Sequence, residues 1–168
     1  FEREWYSVYT FQCRRMARFV HGRTIFAGDS AHQVSPFGAR GCNGGLADVD
    51  NLGWKLDLVL KGEAGAEFIE TYDDEAIATA DENILNSTRS TDFITPKSHA
   101  SQVMRNAVLT LARQFPCGRA LVNSGRLSVP AMLTNSALNT PDADSFTGWM
   151  IPGAPADDAP VRGGWLLR

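Results

Sequence analysis

Cysteine is scarce in this sequence, long apolar runs are missing, and neither charge is in large excess. Cys13, Cys42 and Cys117 are the three cysteines in 168 residues, too few for a disulfide framework, and none are paired as C-x-x-C. A reducing, cytoplasmic setting is the expectation. No stretch reaches the roughly 18 apolar residues of a membrane helix, so a membrane is not an expected partner. Sixteen Lys and Arg stand against 19 Asp and Glu, a formal net charge of −3, with a pI near 5.6. Without a basic block, nucleic acid is not an expected partner either. His21, His32 and His99 lack ligand spacing with one another, so no metal site is expected. Two phosphate-binding signatures are also absent: no G-x-G-x-x-G and no P-loop Lys-Ser/Thr pair. The chain opens on Phe1 rather than Met and closes on the apolar Gly163–Arg168, so a fragment of something longer is expected.

What remains is ordinary for one folded domain, 43% hydrophobic and 21% charged. Trp5 to Phe19 is rich in aromatic and β-branched residues and predicts a strand. His21-Gly22-Arg23 reads as a turn. The apolar run Thr24–Ala27, ending at Gly28-Asp29, suits a strand buried on both faces of a parallel sheet. Residues 30 to 45 read as a loop punctuated by Pro36 and four glycines. A helix is predicted from there to Leu60, with Leu46, Val49, Leu52, Leu56, Val59 and Leu60 at helical spacing and Gly62 as its C-terminal cap.

A second helix is predicted from Glu67 to about Arg89. It carries Phe68, Ile69, Tyr72, Ala76, Ala80 and Ile84 on one side, the acidic run Asp73-Asp74-Glu75 on a solvated face, and a stop at Thr95-Pro96. Ser98 to Phe115 predicts a third helix ended by Pro116, and residues 117 to 128 a short fourth. From Val129 onward five of the eight prolines occur, which predicts an extended tail.

The stretch that carries chemistry is Gly28-Asp29-Ser30-Ala31-His32, followed by Pro36-Phe37-Gly38-Ala39-Arg40-Gly41-Cys42-Asn43-Gly44-Gly45. An aspartate at the end of a buried strand, before a glycine-rich loop entering a helix, lies where open α/β sheets bind ligands. Its carboxylate can accept hydrogen bonds from a sugar or ribityl hydroxyl. Glycines let the backbone approach a flat ligand, N–H groups at the start of the following helix favour negative charge, and Arg40 adds a fixed positive charge. Such a site suits a polyol-linked ring system that becomes anionic, although a plain strand–turn–helix joint would share these features.

Those residues, with Asp48 and Asn51-Leu52-Gly53-Trp54-Lys55-Leu56, resemble the second flavin-binding motif of FAD-dependent aromatic hydroxylases, the single-component flavoprotein monooxygenases related to para-hydroxybenzoate and phenol hydroxylases. The resemblance covers roughly residues 5 to 75 and fades beyond about residue 97. It implies an α/β fragment: strands of an FAD-binding α/β domain, then a mostly helical segment and an extended tail. Residues 1–20 would be the last strand of a substrate-binding sheet, 21–62 the second half of the FAD-binding domain, 63–128 the helical segment, and 129–168 a connector toward a thioredoxin-like domain.

The implied activity is hydroxylation of a phenolic ring with NAD(P)H and O₂ through a flavin C4a-hydroperoxide. Carried over by resemblance, Gly28 and Asp29 hold the ribityl chain. Pro36 lies beside the isoalloxazine, and Gly38, Ala39, Gly41, Cys42 and Asn43 present backbone to its pyrimidine edge. Arg40 stabilises the charge that collects there. Pro36 and Arg40 are thus the expected catalytic positions. The family often has two successive prolines where this chain has Ser35-Pro36. It also carries an N-terminal G-x-G-x-x-G unit that these 168 residues lack, so the chain alone is expected to bind FAD weakly or not at all. A small aromatic substrate is the implied partner, with room for a homodimer of the intact protein.

Halogenase or prenyl-reductase chemistry on a similar Gly-Asp motif is one alternative, and a non-catalytic helical interaction module another. His32 is read as fixing the loop locally and Cys42 as a small packing residue. Trp54 is read as core, and two of Arg14, Arg15 and Arg18 as solvated strand ends.

Overall fold

The structure, a computed structural model, describes residues 4–122, 129–145, 148, 150–156 and 160–165. It is a mixed α/β chain in which helices dominate. The strands are β1 (Arg14–Arg15), β2 (Val20–His21), β3 (Thr24–Ile25), β4 (His32–Gln33), β5 (Pro160–Val161) and β6 (Gly164–Trp165). The helices are α1 (Arg40–Leu60), α2 (Glu70–Ile94), α3 (His99–Gln114) and α4 (Pro116–Val122), with 3-10 turns at Gly28–Ser30 and Ala66–Ile69.

Among the described residues every strand pairing is antiparallel: β1 with β4, β2 with β3 and β5 with β6. The expected parallel strand at Thr24–Ala27 is instead one arm of a hairpin that turns at Gly22, whose φ of 61° suits a residue without Cβ. The expected strand Trp5–Phe19 shrinks to Arg14–Arg15. A strand needs a ladder, and β4 is long enough to pair with only those two residues, so Trp5, Tyr6, Val8, Tyr9 and Phe11 lie exposed.

Helix α1 begins at Arg40, earlier than expected, so the motif residues Arg40 to Gly45 form its first turns rather than loop. Its end follows expectation. Gly62 (φ 73°) donates to the Val59 carbonyl and Glu63 to that of Leu58, the paired bonds of a glycine-terminated helix.

The stripe that α1 buries is polar: Arg40, Gly44, Asp48 and Lys55. Leu46, Val49 and Leu60, expected on its apolar face, are exposed, and Trp54 is half exposed, edge-on to Phe68 at 5.4 Å between ring centroids. The physical reason lies in α2, which runs antiparallel beside α1 and offers matching polar groups, Asn83 opposite Arg40 and Glu75 opposite Lys55.

Helix α2 ends at Thr95-Pro96 as expected, one turn beyond Arg89. Its acidic run is a correction, since only Asp74 faces solvent. Asp73 accepts the N–H groups of Phe19 and Val20, and Glu75 lies against Lys55, so both are buried. Tyr72, Ile69, Ala76 and Ala80 join Phe19, Val20 and Ala31 in the core, with Leu52, Leu56 and Val59 packed against them.

Ser98 caps α3 by accepting the Ser101 N–H at 3.1 Å. Pro116 both ends that helix and opens α4, because a proline at the first helical position gives up no internal hydrogen bond. Positions 123–128 of the expected short helix lie outside the described residues. The expected tail is tethered rather than free. Ser136 donates to Glu75, Leu133 N–H donates to the Gly153 carbonyl at 2.7 Å, and β5–β6 form a hairpin.

Candidate functional site

The chain enters the site along the β2–β3 hairpin and leaves it through α1. Between them Gly28 takes a left-handed φ of 58° and opens the 3-10 turn that presents Asp29. Asp29 is exposed, and Ser30 donates its hydroxyl to the Ala27 carbonyl at 2.7 Å, closing the turn. Beneath it, Asp48 Oδ2 accepts the Gly28 N–H at 2.7 Å and contacts His32 Nε2 at 2.7 Å. His32 is buried and stacks on Phe19, as its local reading anticipated.

Gly44 of α1 makes this close packing possible: a Cβ there would stand 3.2 Å from the His32 ring, whereas one on Gly45 would meet the Gly28 Cα at an ordinary contact distance of 3.6 Å. Asp29 lines an open cavity of about 290 Å³ together with Arg14, Ser30 and Gln33.

The Pro36–Asn43 segment follows. Ser35 is buried, its hydroxyl 2.7 Å from that of Ser87 and 2.6 Å from that of Thr91. Pro36, Gly38 and Ala39 are exposed. Gly38 (φ 98°) and Ala39 (φ 53°) turn the chain left-handed into α1, and Ala39 occupies the N-cap without a side-chain hydrogen bond. In an α-helix the first N–H able to bond back to the cap carbonyl is that of Asn43, which leaves those of Gly41 and Cys42 to donate to an outside acceptor. No acidic side chain stands in that first turn. Cys42 is exposed, so its thiol is not a packing group, and Asn43 donates its side-chain amide to the Ala39 carbonyl at 2.9 Å.

Arg40 is buried. Its guanidinium donates to Asn83 Oδ1 and, at 3.4 Å, to the Val129 carbonyl. It lines a second cavity of about 350 Å³ with Asn43, Gly44, Asn83 and Val129. The expected site residues therefore divide between two cavities, with Asp29 on one and Arg40 and Asn43 on the other.

Sequence reasoning assigned no role to Asp48 and overlooked Asn83, Ser87 and Thr91 as supports of the loop. The available signal was their spacing, small polar residues four apart on one face of α2. Arg14 and Arg18 are exposed, in line with the expectation of two solvated arginines among the three, and Arg15 is half-buried. Arg15 binds Asp81 at 2.6 and 2.8 Å, and Arg18 binds Asp73 and Glu70.

An exposed carboxylate beside a cavity, a glycine-to-glycine approach and an open helix N-terminus fit a hydroxyl-bearing chain attached to a ring that gains negative charge. The described residues hold no group of three or more potential metal ligands, and no helix among them is long and apolar enough to cross a membrane.

Residues 1–87 match the family model described as an FAD binding domain. A 3-(3-hydroxy-phenyl)propionate/3-hydroxycinnamic acid hydroxylase of Comamonas testosteroni is 35% identical over 109 residues, which is 65% of this chain and 18% of that protein. A 6-methylpretetramide 4-monooxygenase of Streptomyces rimosus is 36% identical over 125 residues, 74% of this chain and 21% of that protein. The solved structure of CabE, an aromatic hydroxylase from angucycline biosynthesis, matches with a TM-score of 0.68 at 26% identity, covering 94% of this chain and 30% of that one. The chain spans about a fifth of the length of those two curated relatives.

Proposed function

Because this chain belongs to the FAD-binding-domain family, we propose that it forms one wall of the cofactor site of an FAD-dependent aromatic hydroxylase. The observation that carries this reading is Asp29, exposed on a cavity in the Gly28–Ser30 turn that Asp48 locks to α1. The hydroxylase names of the relatives support the reaction class.

In this reading Asp29 accepts hydrogen bonds from the ribityl hydroxyls. The N–H groups of Gly41 and Cys42 face the pyrimidine edge of the ring, where the positive end of the helix dipole favours negative charge. Pro36, Gly38 and Ala39 form the exposed loop against which the ring and a phenolic substrate rest. Arg40, held by Asn83, supplies positive potential from inside the helix pair rather than from a mobile surface position. Bound FAD supplies the redox chemistry, with NAD(P)H as reductant and O₂ as oxidant. A cytoplasmic location and a homodimer of the whole protein complete the proposal. Its domain boundaries are the substrate-sheet strand at 1–20, the flavin-facing half at 21–62, the helical segment at 63–128 and the connector at 129–168.

A flavin titration of the chain tests the site, read by quenching of flavin fluorescence. Saturable binding that Asp29→Ala weakens at unchanged melting temperature supports it. Binding that ignores Asp29→Ala overturns it.

A further inference from the structure

Charge is unevenly spread along this chain. Between Asp92 and Asp142 lie Lys97, Arg105, Arg113, Arg119 and Arg126, with no Asp or Glu among them. All 19 acids stand outside residues 93–141, against 11 of the 16 bases, so a net charge of −3 conceals a basic segment. That segment holds α3 and α4, which pack chiefly on each other. Helix α3 buries none of its own residues. Val103, Met104, Ala107 and Leu111 share one of its faces at helical spacing, with Phe115 one turn on. All five are exposed, Met104 by 70%, and so is Leu121 of α4. The other side of α3 carries Gln102, Asn106, Thr110 and Arg113. Arg113 and Arg119 are exposed and, among the described residues, have no hydrogen-bond or ion-pair partner. Lys97 and Arg105 are held near the start of α3 by Asp92 and the Ile94 carbonyl.

We propose that the α3–α4 hairpin is an interfacial anchor that lies on an anionic lipid surface. An apolar stripe opposite amides and arginine is the pattern of a helix lying in the plane of a bilayer, its apolar side at the acyl boundary. The stripe alone would suit many partners, since an uncovered apolar patch marks an interaction surface of any kind. The charge selects among them. A segment without one carboxylate complements a surface of uniform negative sign, and an anionic leaflet is such a surface. Arginine stems can lie along the acyl boundary while their guanidinium groups stay among the headgroups. No helix among the described residues is long and apolar enough to cross a membrane, and an interfacial helix needs no such run. The inference concerns where the chain sits and is independent of the flavin reading.

The test is cosedimentation of the full 168-residue chain with lipid vesicles. One set is phosphatidylcholine alone, and the other contains about a third phosphatidylserine, enough for a negative surface potential. Wild type is compared with Met104→Ser, Arg113→Gln, Arg113→Lys and Arg119→Gln. Arg23→Gln, at the exposed β2–β3 turn, is the control. Every substituted side chain is exposed, so circular dichroism should show each variant folded. The chain should pellet with the phosphatidylserine vesicles and be released in ~1 M salt, where the Debye length falls to about 3 Å. Arg113→Gln and Arg119→Gln should each weaken binding about fivefold, as one arginine near an anionic surface implies. Arg113→Lys should bind as wild type does. Met104→Ser should weaken binding severalfold at unchanged charge, and Arg23→Gln should not.

A folded chain that ignores phosphatidylserine vesicles overturns the proposal. Binding that Arg23→Gln weakens as much as Arg113→Gln, and that Met104→Ser leaves intact, also overturns it, because that is bare attraction between polyions. Equal pelleting with phosphatidylcholine alone removes the anionic requirement and sinks it too. Concentration-dependent self-association that Met104→Ser breaks, without vesicle binding, overturns it and assigns the face to a second copy of the chain.

Discussion

One carboxylate oxygen, Asp48 Oδ2, meets His32 Nε2 at 2.7 Å and accepts the Gly28 N–H at the same distance. Asp48 is 2% exposed, so neither contact has water as a ready substitute. Through them the turn that carries Asp29 is tied to α1. Asp48→Ala should cost about 1–3 kcal/mol for each buried donor left without its acceptor, read as a lower urea midpoint. It should also raise the Kd for flavin by more than Asp48→Asn does, since Asn retains one acceptor. Equal flavin affinity in a folded Asp48→Ala chain would separate the turn from the site.

Lys55 and Glu75 form a buried pair at 2.6 Å, and Glu75 also accepts from Asn51 at 2.7 Å and from Ser136. Burial alone would raise the Glu75 pKa, but the hydrogen bonds from Lys55, Ser136 and Asn51 outweigh it and hold the carboxyl below its ordinary value. A depressed carboxylate contributes stability that is present above its unfolded pKa of about 4.3 and lost as pH falls through the folded value. Glu75→Gln should therefore cost about 3–5 kcal/mol at neutral pH by stranding Lys55, and should flatten the acid limb of the stability curve. Replacing both together, Lys55→Met with Glu75→Leu, should recover most of the loss. Denaturant melts between pH 3 and pH 7 check both points.

Tyr72 is fully buried and donates its hydroxyl to the Phe26 carbonyl at 2.9 Å. Burial first, then the charges of Asp48 and Asp73, push its ionisation above the ordinary phenol range. A raised phenol contributes stability that is complete below about pH 10 and lost as pH climbs toward the folded value. Phenolate absorbance from Tyr72 should appear only with alkaline unfolding. Tyr72→Phe should cost about 1 kcal/mol at pH 7 and remove that part of the alkaline sensitivity.

Ser87 lies fully buried on α2, its hydroxyl 3.1 Å from the Ser35 carbonyl and 3.2 Å from that of Phe37. Ser87→Ala should lower stability by about 1–3 kcal/mol and release the Pro36–Ala39 loop. Chymotryptic cleavage after Phe37 should then accelerate severalfold under native conditions. An unchanged cleavage rate would mean that the loop is held from elsewhere.

The Gly-Asp turn, the Gly62 cap and the Thr95-Pro96 stop were legible because each is local, set by backbone sterics within a few residues, whereas the glycines of residues 41–45 read as loop and are the first turns of α1. The aromatic Trp5–Phe11 segment misled for the opposite reason. β propensity describes fit to a neighbouring strand, and no such neighbour lies beside it among the described residues. Asp73 and Glu75 misled because an acidic run reads as solvated until partners distant in sequence, the Phe19 and Val20 amides and Lys55, are brought against it.

The sequence by itself determined the order of turns and helices and the chemical types offered at the site, because glycine φ freedom, proline geometry and residue identity are properties of short segments. Only the tertiary structure decided which charges are free. Packing of α2 against α1 and β1 buries Arg40 with Asn83, pairs Arg15 and Arg18 with acids, and leaves Arg14 and Asp29 facing one cavity. A charge is neutralised or left available by neighbours 40 to 70 residues away, and no local pattern encodes that choice.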